Sequence, residues 1–342
     1  MFALTNNLRT TLYCLLFCLP FVSARNVPGS HLQARDLTNS SKAGLGWANA
    51  DTVDIRQYTS TGNVSWYYTW SAFPTKSDIE FVPMFWGNKS IDQFNSTMQQ
   101  TLSNKAYNVT SLLGMNELRI WIIDHSANQL LTKKSLRRPE LAGQSNITPE
   151  EGADMWKTYV QPFHDQGLRL GSPAPSSSPT GKTWLQGFLS ACGDECTVDF
   201  IAMHWYGTNA SQLISYLEDF NNTFQKPLWI TEWACQNYAN LTAQCSSSDV
   251  VEFMNATQSY MDNADFVERY AWFGAMENMQ GINEDNALMD NNGKINSLGR
   301  QYIGGDHSDV SLTSAAVMTR CFLRFPIIIM TWFALPLSQI LL

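Results

Sequence analysis

The sequence predicts an α/β protein built as a single (β/α)8 TIM barrel. Three observations carry that expectation. Eight short apolar runs alternate with longer amphipathic stretches between residues 42 and 303, and strand–helix units in series imply parallel strands. Eight units within 42–305 suit a barrel, which takes roughly 250 residues. No Gly-rich phosphate loop follows the first run, which sets a doubly wound open sheet aside.

The expected strands are 42–47, 65–70, 80–86, 111–117, 169–174, 198–206, 226–234 and 267–276. Each is short and apolar, as a strand buried on both faces should be. Helices are expected at 91–102, 149–163, 182–191, 210–224 and 249–263. Thr148 before Pro149 and Glu150 reads as an N-cap with Pro in the first helical position. In such a barrel the chemistry collects at the C-terminal ends of the strands. Those ends read Trp47, Trp70, Trp86, Asn116 with Glu117, His204 with Trp205 and Tyr206, Glu232 with Trp233, and Trp272. Six of the 12 tryptophans stand there. Any one of them alone reads as core, but six at strand ends point to a cleft with stacking platforms for sugar rings.

Composition narrows the classes. The 342 residues carry 30 acidic against 22 basic side chains, a net charge of −8. That argues against a nucleic-acid binder, which needs a basic stripe to displace counterions. With 15% charged and 44% apolar residues, a core can form and wholesale disorder is excluded.

The two ends read as addresses. Residues 11–22 form an apolar run after Arg9 that closes on Val22, Ser23 and Ala24, the layout of a secretory signal peptide spanning 1–24. A linker is expected at 25–41. At the other end, 326–342 is an uncharged, mostly apolar tail preceded by the small triplet Ser314, Ala315 and Ala316. Linker 306–316, attachment near Ser314 and tail 317–342 follow the order of a glycosylphosphatidylinositol signal; the rival is a C-terminal membrane helix. The chain is therefore expected to be secreted, at the cell surface or wall, touching membrane only through a lipid anchor. Ten Asn-x-Ser/Thr sequons agree: Asn39, Asn63, Asn88, Asn95, Asn108, Asn146, Asn209, Asn221, Asn240 and Asn255. Four cysteines remain once both signals are removed, and in an oxidising compartment neighbours pair, Cys192 with Cys196 and Cys235 with Cys245. No His clusters with them, which disfavours zinc.

Glu117 ends the fourth run and Glu232 the seventh, so they face each other across a barrel mouth. Retaining glycosidases use two carboxyl groups about 5–5.5 Å apart, one as acid/base and one as nucleophile. A single buried Glu would read as a structural partner; two at facing strand ends read as catalytic. Glu277, just past the eighth run in a polar loop, is the rival. Asp290-Asn-Asn-Gly reads as a turn rather than a calcium loop. No metal motif is present and no cofactor is required.

At these residues a resemblance becomes explicit. The segments Phe81-Val-Pro-Met-Phe-Trp-Gly, Leu113-Gly-Met-Asn-Glu, Gln144-Ser-Asn-Ile-Thr-Pro-Glu-Glu, Leu170-Gly-Ser-Pro-Ala, Phe200-Ile-Ala-Met-His-Trp-Tyr, Trp229-Ile-Thr-Glu-Trp-Ala-Cys and Tyr270-Ala-Trp-Phe-Gly resemble fungal glycoside hydrolase family 128, which includes the alkali-sensitive-linkage-like wall proteins. The resemblance spans 42–303. It implies a retaining enzyme on β-1,3-glucan, with β-glucan as its partner and Glu117 and Glu232 as acid/base and nucleophile. Asn116 would meet the sugar 2-hydroxyl, while His204, Tyr206 and the strand-end tryptophans shape subsites. Glu117 must then stay protonated while Glu232 is ionised. A monomer is expected.

One segment departs from the family pattern, in which Asn-Glu runs straight into Pro and an acidic residue. Here Leu118–Arg138 intervenes, with five of the 22 Lys and Arg and no sequon. Its removal restores Asn-Glu-Pro-Glu, so we read it as an in-frame retained intron. The alternative is a true loop that covers or blocks the cleft. Two further readings stay open beside hydrolysis: a glucan-binding wall protein with little turnover, and a transglycosylase using the same residues.

Overall fold

The computed structural model describes residues 42–87, 91–118 and 147–305. The expected signal peptide, the 25–41 linker, residues 119–138 of the insertion, the C-terminal linker and tail, and sequons Asn39, Asn88 and Asn146 lie outside the described residues.

Among the described residues, ten strands are interspersed with helices. In chain order they are β1 (Ala43–Gly46), β2 (Val64–Tyr68), β3 (Glu80–Phe81), α1 (Ile91–Ser103), β4 (Ser111–Leu113), β5 (Asn116–Leu118), α2 (Pro149–Met155), β6 (Arg169–Gly171), β7 (Ala174–Pro175) and α3 (Pro179–Cys192). They continue as β8 (Ile201–Gly207), α4 (Ala210–Phe224), β9 (Leu228–Cys235), α5 (Ser247–Asn263), β10 (Val267–Trp272) and α6 (Ser297–Tyr302).

Six strands form one parallel sheet in the order β3-β2-β1-β10-β9-β8, and β4–β6 and β5–β7 are parallel pairs. The α/β class and the parallel strands agree with the expectation. The ladder is not one continuous ring of eight; single parallel bridges, Met84 to Leu113 and Gly171 to Phe200, link the pair β4–β6 to its neighbours. Proline explains the breaks. It has no N–H to donate to a ladder. Pro83 cuts the expected strand 80–86 to two residues plus the Met84 bridge, and Pro173 splits 169–174 into β6 and β7.

The helices follow local signals. Thr148 caps α2, accepting from the Glu151 N–H while the Glu151 carboxylate takes the Thr148 N–H, a capping box. Ser246 and Asp249 repeat the arrangement at α5, and the Asn209 side chain caps α4. The helix expected over 149–163 is α-helical only to Met155 and continues as a π turn and a 3-10 turn around Pro162. Helix α6 was not expected. It is one and a half turns long, too short for a periodic pattern.

Strand residues alternate between two apolar layers. One layer holds Leu45, Trp47, Tyr67, Phe81, Ile201, Met203, Ile230, Trp233, Tyr270 and Trp272 packed with helix residues such as Phe94, Trp184, Leu217 and Phe253. The other contains only strand-side residues, among them Trp66, Tyr68, Met84, Phe200, Ala202, Trp229 and Ala271. Glycine makes room for the second layer. A Cβ on Gly44 would sit 2.1 Å from the Trp66 ring, a separation no packed side chain tolerates. At the N-terminal ends of the strands, Arg269 donates to Glu80 over 2.6 Å and lies 4.4 Å from the Trp229 ring centre. Arg169 and Glu268 pair beside it through two hydrogen bonds.

Both expected disulfides are present, Cys192–Cys196 closing α3 and Cys235–Cys245 running from the end of β9 to the start of α5.

Candidate active site

The register of β9 sets the site. On β8, Met203 lies opposite Ile230 but His204 lies opposite Glu232; on β10, Tyr270 faces Ile230 and Trp272 faces Trp233. Strand β9 thus carries one extra residue, Thr231, relative to both neighbours. A β-bulge of this kind reverses the alternation of side chains beyond it and re-aims them. Trp229 belongs to the strand-enclosed layer; strict alternation would put Trp233 there and Glu232 among the helices. The bulge exchanges them. Its carbonyl is satisfied, since the Tyr68 hydroxyl donates to the Thr231 oxygen over 2.8 Å.

Glu232 is 4% exposed, and both its oxygens are held. The Trp70 indole Nε1 donates to Oε1 over 2.7 Å, and the Tyr206 hydroxyl donates to Oε2 over 2.6 Å. His204 is fully buried, its Nδ1 3.3 Å from Oε2. Buried carboxylates need such partners.

Trp70 reaches Glu232 from a strained backbone, at φ 52°. That left-handed conformation is costly for a bulky side chain and persists only where its surroundings enforce it. Gly46 is part of that enforcement: a Cβ there would approach Trp70 Cη2 to 2.7 Å.

Two residues not anticipated from the sequence complete the wall. The Phe273 ring stands edge-on to both Trp70 and Tyr206, 5.8 Å from each, so it separates the two donors that hold Glu232. Tyr238 packs edge-on to Tyr206 at 5.6 Å from the loop closed by Cys235–Cys245. Phe273 was legible in principle. It sits one residue past Trp272, on the opposite side of the strand.

Asn116 is buried. Its N–H donates to the Trp86 carbonyl over 3.1 Å, while its Oδ1 has no partner among the described residues. Trp86 is half-buried against the strand-enclosed layer, as Trp70 is. Glu117 lies in β5 between Asn116 and Leu118, which pair with Ala174 and Pro175 of β7; its side chain lies outside the described part. Glu277 is exposed.

Four expected sugar platforms are corrected. Trp47, Trp233 and Trp272 are 0% exposed, and each indole N–H is used internally, by the Ala50 carbonyl, the Thr257 hydroxyl and the Asn286 carbonyl respectively. They pack with the helices and have no face to offer. Trp205 points the same way, 5.0 Å from the Tyr216 ring of α4. Burial, and after it the charge of Asp219, pushes the Tyr216 hydroxyl well above its ordinary pKa, so it stays a neutral packing group. Strand parity explains all four, with the bulge deciding Trp233. Of the six tryptophans, Trp70 and Trp86 remain on the Glu232 side. Among the described residues no group of three or more His, Cys, Asp or Glu is placed to hold a metal.

Residues 44–302 match the family model described as glycosyl hydrolase catalytic core. The chain is 29% identical over 270 residues to alkali-sensitive linkage protein 1 of Schizosaccharomyces pombe, covering 77% of this chain and 44% of that one; it spans less than half the length of that relative. Among solved structures it is similar to a subgroup II endo-β-1,3-glucanase of glycoside hydrolase family 128 from Sorangium cellulosum, at 26% identity, TM-score 0.60, covering 78% of this chain and 98% of that one. It is also similar to a subgroup I endo-β-1,3-glucanase of the same family from Amycolatopsis mediterranei, in complex with laminaritriose, at 28% identity, TM-score 0.58, covering 78% and 100%.

Proposed function

The chain belongs to the glycosyl hydrolase catalytic-core family and groups with glycoside hydrolase family 128, and from that premise we propose that it is a retaining β-1,3-glucanase with Glu232 as nucleophile and Glu117 as acid/base. The observation that carries the reading is the Glu232 carboxylate, buried at a β-bulge with an indole and a phenol each holding one oxygen. A carboxylate fixed in this way is oriented before substrate arrives, which lowers the entropic cost of attack.

In the first step an oxygen of Glu232 attacks the anomeric carbon while Glu117 protonates the departing glycosidic oxygen. In the second, Glu117 takes a proton from water, which then releases the sugar from Glu232. The buried Asn116 Oδ1, without a partner among the described residues, is available to accept from the sugar 2-hydroxyl. His204 is too buried to touch sugar and acts by holding Glu232. Trp70, Trp86 and Tyr206 supply the sugar-facing surface.

The two bridges at Met84 and Gly171 support reading the strands as a (β/α)8 barrel whose mouth holds the site. We place the protein in the secretory route with a lipid anchor; release from membranes by a phosphatidylinositol-specific phospholipase tests the anchor.

The enzymatic reading is tested by reducing-end release from a soluble β-1,3-glucan, with Glu232→Gln as control and the anomeric configuration of the first product followed by NMR. Retained configuration and loss of activity in the variant support it. Inverted product refutes retention. Absence of turnover with glucan binding intact favours the wall-binding reading.

A further inference from the structure

We infer that Asn209 and Asn240 carry N-linked glycans that border the cleft beside Glu232, whereas Asn63, which stands in the same sequence motif, carries none; the inference rests on the secretory route proposed above. Attachment needs an Asn two residues before Ser or Thr, and the folded protein can keep a glycan only where that Asn stands at the surface with Nδ2 not committed to the fold. Glycans are bulky and demand a surface position. In the reaction Nδ2 bonds to the sugar C1 of a lipid-pyrophosphate-linked oligosaccharide. The C1–oxygen bond to pyrophosphate breaks, and one Nδ2 proton leaves with the pyrophosphate.

The described sequons divide on these criteria. Asn63 is 7% exposed and its Nδ2 donates to the Ile303 carbonyl over 2.7 Å. The same carbonyl accepts from Thr61 over 2.6 Å. A glycan there would break the joint between the start of β2 and the end of α6 and leave buried polar atoms unpaired.

Asn209 and Asn240 are both exposed. Asn209 Oδ1 accepts from the Gln212 N–H over 3.1 Å, and Asn240 Oδ1 accepts from the Thr242 N–H over 3.1 Å and its hydroxyl over 2.8 Å. In each the side-chain oxygen is engaged, and among the described residues Nδ2 makes no hydrogen bond. Both residues follow strands that carry the site. Asn209 comes three residues after Tyr206, and Asn240 two residues after Tyr238, whose ring meets Tyr206 at 5.6 Å. The Asn240 loop is held by the Cys235–Cys245 disulfide and by Asn237 and Gln244 exchanging hydrogen bonds of 2.9 Å. Asn95 on α1 and Asn255 on α5 are exposed on the helical side and serve as references.

The full chain, made in a eukaryotic secretory host, is digested and its glycans are released by an amidase in heavy-oxygen water, so that each former glycan site appears as labelled Asp in peptide mass spectra. Label at 209 and 240 with none at 63 is expected. Label at Asn63 in folded protein overturns the inference, as does an empty Asn209 or Asn240 while Asn95 and Asn255 are labelled. No label anywhere takes down the secretory reading and this inference together, leaving the glucanase reading to its own assay. Replacing Asn209 and Asn240 by Gln should shift the activity ratio toward polymeric glucan over short oligosaccharides; an unchanged ratio removes them from the border of the cleft.

Discussion

Replacing Tyr206 by Phe removes one hydroxyl and leaves a ring of nearly the same shape between Phe273 and Tyr238. The lost bond is the 2.6 Å donation to Glu232 Oε2. Hydrogen bonds to charged groups contribute about 1.5–3 kcal/mol. The acceptor is 4% exposed, so water does not readily replace the donor and the upper half of that range applies. If the hydroxyl aligns the carboxylate for attack, the whole loss falls on the barrier and kcat drops about 45- to 160-fold with KM little changed. The assay is initial-rate release of reducing ends, with thermal unfolding followed in parallel to separate lost alignment from lost fold. Trp205→Phe is the matched control. It alters the preceding residue, whose side chain packs on Tyr216 instead, and kcat should stay within about twofold. A Tyr206→Phe enzyme with unaltered kcat, or a Trp205→Phe enzyme equally impaired, would refute the assignment of the two sides of β8.

Three further outcomes follow from named contacts. Gly46→Ala puts a Cβ 2.7 Å from Trp70 Cη2; relief of such a clash costs about 1–3 kcal/mol, so activity should fall with a lower Tm, and a fully active, equally stable variant would count against Trp70 as a holder of Glu232. Thr148→Ala removes the capping-box hydroxyl of α2, which should cost about 1 kcal/mol in denaturant unfolding and leave kcat intact. Burial alone would raise the Glu268 pKa, but hydrogen bonding and charge from Arg169 outweigh it and hold the carboxyl below its ordinary value of 4.5. Its folded pKa lies below its unfolded one, so its contribution is complete above 4.5 and is lost as pH falls through the folded value. Glu268→Gln should therefore flatten the acid side of the stability–pH curve, and an unchanged acid slope would contradict the pairing.

Much of this architecture was legible because it is written locally. The Thr148-Pro149-Glu150 start of α2 was readable from three residues, and the two disulfides followed from spacing and compartment. Each of the eight apolar runs overlaps at least one observed strand. What proline does inside a run was readable but not used: Pro83 and Pro173 each stand where a strand stops. Glu232 was found because a carboxylate at the end of an apolar strand is chemically out of place. Phe273 and Tyr238 were missed for the opposite reason. A half-buried aromatic in an aromatic-rich chain looks like core, and only the ring contacts with Trp70 and Tyr206 set these two apart.

The tryptophans at the strand ends show which step sequence alone could not take. Position along a strand tells how near a residue lies to the strand's C-terminal end; parity tells which side it faces, and the two are independent. On β8 and β10 parity could have been counted from the sequence. His204 and Tyr206 both turn to Glu232, Trp205 packs with the Met203 layer, and Trp272 lies opposite Ala271. On β9 the count fails, because a bulge is set by pairing with both neighbours and Thr231 carries no local mark of it. A flat β9 would send Glu232 in among the helices, where an unpaired carboxylate is costly, and bring Trp233 to the side that Trp70 and Tyr206 line. The bulge therefore positions the proposed nucleophile, and it does so by moving into the core the tryptophan that stands next to Glu232 in the sequence.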